Sequence, residues 1–146
     1  MTRRRRSQAR ARRSGCPIGI ALDSVGDPWT LLVVRDLMFK GATAFHDFQH
    51  AGEGIATNVL SDRLARLEAA GIVDKAPDPA DARRHVYRLT AKGMDLGPVL
   101  VELVLWAARH ERTDAPAAVV KAMRHDRDAF LAEVRAGWRA ARRKAR

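Results

Sequence analysis

The sequence has little of several residue types on which common structural and catalytic sites depend. Its single cysteine, Cys16, excludes an intrachain disulfide framework and any zinc site built from several cysteines. Aromatic residues make up 5% of the chain. No apolar run approaches the roughly 20 residues that span a bilayer; the longest, residues 98–105, is interrupted by Glu102. The arginine-rich N-terminus precedes no secretory apolar segment, so we expect a cytoplasmic protein.

The motifs of common enzyme classes are also missing. The chain contains no glycine-rich phosphate loop, no nucleophile elbow and no Cys-x-x-Cys pair. His46 and His50 are four residues apart on a predicted helix, but Asp47 is the only further ligand nearby, so we expect no metal there. We therefore expect neither an enzyme nor a protein with a bound cofactor.

Acidic residues are absent from both ends of the chain. Residues 1–13 contain seven arginines, and residues 139–146 contain four arginines and one lysine. The region between them holds all 17 acidic residues and 15 cations, so its net charge is −2 although the whole chain carries +10. The two basic ends are expected to be flexible and would attract a polyanion. DNA binding by the body of the protein has to be inferred from its own surface.

The length and composition predict one domain with additions at its ends. At 146 residues and 47% hydrophobic, the chain is long enough to bury one core. Residues 1–15 are predicted to form a basic arm, disordered over 1–13 because that stretch has too little apolar content to offset the entropy of ordering. Residues 16–111 are the predicted domain, and residues 112–146 a helical extension with a basic tail.

Apolar residues recur at helical spacing in four segments before position 71. The predicted helices cover residues 16–25, 28–40, 44–51 and 57–70. Asp27 is expected to cap the second helix, with Pro28 at its first position, where the missing N–H costs nothing. Thr43 and Thr57 are the predicted caps of the third and fourth helices.

The fourth helix combines a buried face with a polar face. Leu60, Leu64 and Leu67 recur at helical spacing, while polar and cationic residues fill the other sides. Gly71 suits the left-handed turn that ends a helix, and a strand is predicted over residues 72–75. A capped helix with a polar outer face followed directly by a strand is typical of a recognition helix that leads into a wing.

A second strand and further helices follow. Residues 76–81 favour a turn, and residues 83–89 are the predicted returning strand of the wing. Thr90 is expected to cap a long helix to about residue 110, kinked or divided by Pro98. That helix is apolar almost all round, which indicates burial against a partner subunit, and residues 116–141 add a second apolar stripe. The predicted dimer contacts are Leu100, Leu103, Val104, Trp106, Leu131, Val134 and Trp138.

The pattern as a whole resembles the HxlR-type winged helix-turn-helix transcriptional regulators over residues 16–110. The residues that carry the resemblance are Cys16-Pro17, Ala21-Leu22-Asp23, Gly26-Asp27-Pro28-Trp29-Thr30-Leu31-Leu32, Arg35-Asp36-Leu37, Phe45, Phe48, Gly54-Ile55-Ala56-Thr57-Asn58, Leu60, Arg63-Leu64, Leu67-Glu68, Gly71-Ile72-Val73, Tyr87, Leu89-Thr90 and Gly93. The resemblance implies a mostly α fold with a small β wing and C-terminal dimerisation helices. It also implies a homodimer that binds a palindromic operator and represses or activates genes. Asp81-x-Arg83 is similar to the wing of MarR-type regulators, a related architecture.

The candidate DNA contacts lie on the recognition helix and on the wing. Asparagine can pair with adenine, aspartate can accept from cytosine, and arginines can bind phosphate or enter a minor groove. The alternative is a solvated surface, and for Arg63 an ion pair with Glu68 or an acidic neighbour. The candidates are Thr57, Asn58, Ser61, Asp62, Arg63 and Arg66 on the helix, Arg83, Arg84 and His85 on the wing, and Thr43 before the third helix.

Cys16 has two interpretations. It stands at the head of a helix just after the arginine-rich arm, an environment that favours the reactive thiolate. The HxlR-type family includes redox- and electrophile-sensing members with a cysteine at the matching Cys-Pro position, which makes Cys16 a candidate redox sensor and an oxidant or small molecule a candidate effector. The alternative is a small apolar residue packed at a helix start.

A different class of function also fits the charge distribution. A winged helix can serve as a protein-interaction module, with basic tails that bind RNA or an acidic partner non-specifically. The net charge of −2 on the body is the feature that favours this alternative.

Overall fold

The computed structural model describes residues 12–146, so most of the predicted disordered arm lies outside the described residues. The described part contains eight helices and two strands: α1 (Pro17–Val25), α2 (Thr30–Phe39), α3 (Phe45–Gln49), α4 (Thr57–Ala69), β1 (Val73–Pro77), β2 (His85–Leu89), α5 (Ala91–Met94), α6 (Gly97–His110), α7 (Ala117–His125) and α8 (Arg127–Lys144). This order confirms the predicted mostly α fold with a small β wing. None of the described helices is long and apolar enough to cross a membrane.

The capping interaction predicted at the start of α2 is present. The side chain of Asp27 accepts from the backbone N–H groups of Trp29 and Thr30, at 2.9 and 3.1 Å, as an N-cap does. Regular helix nevertheless starts at Thr30, two residues later than predicted. On α1, the expected apolar face is largely uncovered, since Ile18 and Leu22 are exposed and only Val25 is buried.

Two predicted threonine caps are wrong. The cap position of α3 is Ala44, and the backbone N–H groups of Thr43 and Ala44 donate to Asp47 at 2.9 Å each. These two bonds lower the pKa of the Asp47 carboxyl. Thr57 is the first residue of α4 rather than its cap, and its hydroxyl accepts from Gln49 at 3.1 Å. Asp47 thus supplies the side-chain bonds at the start of α3, whereas α4 begins without a side-chain cap.

The wing is a two-stranded antiparallel sheet in which Val73 pairs with Leu89 at the base and Pro77 with His85 near the tip. Gly71, at φ +72°, makes the left-handed turn between α4 and β1. The sheet is offset from the predicted strands: β1 continues to Pro77, and β2 begins at His85. The cross-strand ladder, which no single strand's sequence specifies, sets these limits.

The C-terminal helices divide where the sequence indicates. The Thr90 hydroxyl accepts from the Gly93 N–H and caps α5, and a new helix begins at Gly97 with Pro98 in its first turn. Asp126 separates α7 from α8 and accepts from the Ala129 N–H at 2.9 Å. The prediction that Pro98 divides the long helix is therefore confirmed, and the apolar stripe over residues 116–141 lies on two helices.

Two apolar clusters form the core. The larger one joins α2, α3, α4, the wing and Leu100, and the smaller one contains Val101, Leu105, Val120 and Met123. The prediction of Leu100 as a dimer contact is wrong, because its side chain is 6% exposed and packs in the chain's own core. Four other predicted dimer residues are half-buried against the chain's own clusters: Val134 and Trp138 against the larger one, and Val104 and Leu131 against the smaller.

One face of α6 remains uncovered. Val99, Leu103 and Trp106 are 44%, 48% and 59% exposed, and they recur at helical spacing on one side. Leu103 and Trp106 therefore remain available as dimer contacts, and Val99 joins them.

Candidate nucleic-acid interface

Helix α3, the following turn and α4 form a helix-turn-helix unit held from behind by apolar side chains. Phe48 of α3 and the α4 leucines Leu60, Leu64 and Leu67 are buried in the larger cluster. Burying these residues fixes which side of α4 faces solvent, because helical side chains three and four apart share a face. The opposite face is therefore held outward by the core.

That outward face carries most of the predicted base-contacting residues. Thr57, Asn58, Ser61, Asp62 and Arg66 are all exposed. Ser61 and Asp62 follow Asn58 by three and four residues, so both lie beside it in one polar strip along the first two turns of α4. An amide, a hydroxyl and a carboxylate in this arrangement can offer donors and acceptors to base edges in a major groove.

The carboxylate of Asp62 is engaged by two arginines of its own helix. Its Oδ2 lies 2.5 Å from Arg63 Nη1 and 2.9 Å from Arg66 Nε. Arg66 is the more exposed of the two, at 68%, and Arg63 is 19% exposed. A phosphate could therefore draw Arg66 away from Asp62, while Arg63 is held in place by the protein.

Arg63 is tied to the start of α2. Its Nε donates to Asp27 Oδ1 at 2.8 Å, 36 positions earlier in the chain. The ion pair predicted with Glu68 or an acidic neighbour therefore forms with Asp27 and the adjacent Asp62, and not with Glu68. Partial burial alone would raise the pKa of the Asp27 carboxyl, but hydrogen bonds from the Thr30 hydroxyl and the Arg63 guanidinium hold this pKa well below its usual range. Asp27 thus caps α2 and anchors α4.

Removing the Asp27 carboxylate should destabilise the fold. We expect Asp27→Ala to lower the free energy of unfolding by about 1–2 kcal/mol at pH 7, the range for a lost helix cap. Because the folded-state pKa is depressed, the ionic contribution is complete above the ordinary aspartate pKa of about 4 and is lost as the pH falls below it. Urea unfolding of the wild type and the variant at pH 7 and pH 3 measures this.

Asp23→Ala is the matched control, because Asp23 is half exposed and its ion pair with Arg13 is long, at 3.4 Å. It should change stability little, as exposed ion pairs contribute about 0–1 kcal/mol. The ionic role of Asp27 would be contradicted if Asp27→Asn, which keeps a capping oxygen, matched the wild type in stability at pH 7.

The wing tip presents cations held by one aspartate. Arg83 Nε lies 3.1 Å and Arg84 Nε 3.8 Å from Asp81, and the two side chains are 91% and 78% exposed. The hydrogen bond from the Arg83 side chain lowers the pKa of the Asp81 carboxyl. His85 is exposed at the start of β2. The loop therefore presents these side chains to solvent in a turn closed by backbone bonds between Asp78, Asp81 and Arg84.

Thr43 lies before α3 and beside the wing, and not on the recognition helix α4. Its backbone oxygen accepts from the Tyr87 N–H at 2.8 Å, which attaches the segment before α3 to the wing. Its side chain is exposed, and its contact with a DNA phosphate stays a prediction.

An ion-pair network that the sequence analysis missed holds the turn before α4. Arg35 of α2 donates to Glu53 Oε1 at 2.7 Å and to Asp36 Oδ1 at 2.9 Å. Burial raises the pKa of the Asp36 carboxyl, although Arg35 opposes the shift. Arg35 and Glu53 are 18 positions apart, and no local spacing links them.

Cys16 and the pair of His46 and His50 are the remaining candidate sites. Cys16 is exposed at the cap position of α1, and its backbone N–H donates to the Ser14 hydroxyl at 3.0 Å. The rings of His46 and His50 are tilted at 42° to each other with centroids 4.6 Å apart, and His50 Nδ1 lies 2.8 Å from the His46 carbonyl oxygen. Within residues 12–146, no three histidine, cysteine, aspartate or glutamate side chains are grouped as a metal site.

Comparison with known proteins agrees with this arrangement. The family model of the HxlR-like helix-turn-helix matches residues 24–115. An uncharacterized HTH-type transcriptional regulator of Mycobacterium tuberculosis is 40% identical over 92 residues, which are 63% of this chain and 57% of that protein. The chain thus matches little more than half of that relative's length.

Solved structures with the same fold include two regulators. PA1607, a candidate transcription factor, is 35% identical with a TM-score of 0.64, over 73% of this chain and 72% of that one. The redox regulator HypR in its oxidized form is 26% identical with a TM-score of 0.60, over 67% of this chain and all of that one. With a helix-turn-helix, a wing and a family match over most of its length, this chain belongs to the HxlR-like helix-turn-helix family of DNA-binding transcriptional regulators.

Proposed function

We propose that the protein is a sequence-specific repressor that binds a palindromic operator as a homodimer, with α4 in the major groove and the wing on the flanking backbone. The observation that carries the proposal is the polar strip of Asn58, Ser61 and Asp62, which the core holds outward on α4. Because the proposed target is DNA, we also propose that the protein works in the cytoplasm. A bound dimer that covers a promoter would exclude polymerase, which favours repression.

Selection from random duplex oligonucleotides tests this proposal. Enrichment of a palindrome whose half-sites are one helical turn apart is expected, since a two-fold dimer places two recognition helices at that spacing. No enrichment would favour the other function, an interaction module whose basic ends bind RNA or an acidic partner. The net charge of −2 over residues 14–138 is what keeps that alternative worth testing.

The uncovered apolar faces support the homodimer. Six large apolar side chains are exposed among the described residues. They are Val99, Leu103 and Trp106 on α6, Ile18 and Leu22 on α1, and Val119 on α7. Contiguous apolar surface on a small protein commonly marks an interface. We propose that a second copy covers the α6 face.

We also propose that Cys16 senses oxidants. It is exposed in this chain, and a related structure is that of a redox regulator. Treatment with diamide would join two thiols, from two protomers or from Cys16 and a small thiol, while diamide takes up the two hydrogens. The arm and α1 adjoin this residue, so oxidation could change how they meet DNA or the partner.

Oxidation should therefore change operator affinity in the wild type. We expect a measurable shift in Kd after diamide, and Cys16→Ser should abolish the shift while leaving binding in the reduced state intact. Operator titrations before and after treatment, followed by reduction with dithiothreitol, measure this. If diamide leaves the wild-type Kd unchanged, Cys16 is structural.

A further inference from the structure

The C-terminal end of the chain carries five cations and no acidic residue over residues 137–146. Only one of them, Arg142, has an acidic partner within the described part of the chain, with Nη2 3.2 Å from Asp74 Oδ2. The other four are exposed. They are Arg139, Arg143, Lys144 and Arg146.

This segment is neither free nor remote from the winged helix. Trp138 Nε1 and Arg142 Nη1 both donate to the Leu89 carbonyl, at 2.8 and 2.9 Å. Leu89 lies at the base of the wing, paired with Val73. The prediction of a flexible basic tail is therefore wrong over this stretch, because these bonds and the Asp74 ion pair attach α8 to the wing.

The direction of α8 brings its cations toward the wing tip. Beyond Arg142, Ala145 and Arg146 line one crevice with Ala76 and Val86, a pair closer to the tip than Val73 and Leu89. Asp74, Ala76, Val86 and Arg88 alternate with core-facing residues, so they form the outer face of the sheet. The end of α8 thus extends along that outer face toward the loop with Arg83 and Arg84.

The exposed cations at the end of α8 repel one another, so an anion bound among them would relieve that repulsion. Arg139 and Arg143 are four residues apart on α8, and like charges at this spacing repel. Arg146 follows two residues after the end of that helix. The helix dipole favours cations at a C-terminus, but it does not remove their repulsion. From Arg139 to Lys144, the last residue of α8, the helix rises about 7.5 Å along its axis. This is comparable with the ~7 Å, measured along the duplex axis, between the first and third of three successive phosphates of one DNA strand.

We propose that Arg139, Arg143, Lys144 and Arg146 form a phosphate-binding strip that contacts duplex DNA outside the bases read by α4. The proposal rests on the proposed function, because it takes the wing to lie on DNA. The strip lies beyond residues 24–115, which the family model matches, so it belongs to this chain's own C-terminal extension. It would lengthen the duplex that one dimer occupies without adding base recognition.

The test compares the full chain with Arg143→Gln, Lys144→Gln and Arg146→Gln combined. Affinity is measured at several salt concentrations on a minimal operator duplex and on one extended by about one helical turn (~10 base pairs) at each end. The triple variant should lose the wild type's preference for the longer duplex, and its slope of log K against log salt should fall by about 2–3 per protomer. Its preference among bases should be unchanged.

A matched control replaces three exposed cations elsewhere, Arg112, Lys121 and Arg124, by glutamine. They lie on α7 and the loop before it, and α7 packs against α6 and α8. This control should keep the wild-type salt slope and length dependence. Circular dichroism and thermal unfolding should match the wild type for both triple variants, since every replaced side chain is exposed.

Titrations on a scrambled duplex separate the two proposals. A wild type that binds operator and scrambled duplexes equally would contradict the proposed function. A C-terminal triple variant with an unchanged salt slope on both duplexes would overturn the phosphate-binding strip and leave the proposed function intact.

Discussion

Leu103→Glu is expected to convert the proposed dimer into a folded monomer. Leu103 is 48% exposed in the single chain, so a glutamate there stays hydrated when the chain is alone. In a dimer that covers α6, the same carboxylate would be buried without a partner, at a cost of several kcal/mol. Since about 1.4 kcal/mol is tenfold in affinity, dimer affinity should fall at least about 100-fold. Sedimentation velocity across the micromolar range measures this.

Two matched substitutions separate the interface from the core. Val101, two positions earlier, is fully buried, and Val101→Glu should unfold the chain rather than dissociate it. Ala118→Glu, at an exposed position on α7, should leave both fold and dimer unchanged. A wild type that sediments as a monomer at micromolar concentration would refute the homodimer, and a dimeric Leu103→Glu would move the interface away from α6.

Deleting residues 1–13 should weaken binding to every DNA sequence alike. This segment contributes seven arginines, and each neutralised phosphate adds about 0.9 to the slope of log K against log salt. The deletion should therefore lower the slope by up to ~6 per subunit. Binding isotherms of the full and truncated chains between low and moderate salt measure the change. Replacing the seven arginines by glutamine keeps the length of the segment and should give the same result.

Asn58→Ala is the contrasting control for the arm. It should cost about 1–3 kcal/mol on the operator, change non-specific binding little, and relax preference at one position of each half-site. The assignment of recognition to α4 fails under the reverse pattern: the truncated arm loses sequence preference, while Asn58→Ala, Thr57→Ala and Ser61→Ala all retain it. The arm would then recognise the operator.

Local sequence signals specified most of the elements. Asp27 caps the start of α2, Thr90 caps α5, Gly71 turns the chain into β1 and Pro98 begins a new helix, because each acts through backbone geometry within a few residues. Signals with competing partners were less reliable. Thr43 and Thr57 have the chemistry of caps, but Asp47 supplies the side-chain bonds at the start of α3, and the Thr57 hydroxyl accepts from Gln49 without capping α4.

The amphipathic leucines of α4 determined the outward face of the recognition helix, since helical periodicity alone places Asn58 opposite Leu60. Only the tertiary structure decided the partners of the charged residues: Arg63 meets Asp27, Arg35 meets Glu53, and Arg142 meets Asp74. Those contacts join residues 18 to 68 positions apart, and such pairings depend on how helices pack. The same holds for α6, where Leu100 is buried and Leu103 is exposed. An almost wholly apolar helix does not itself specify which side meets its own chain, so packing made that choice.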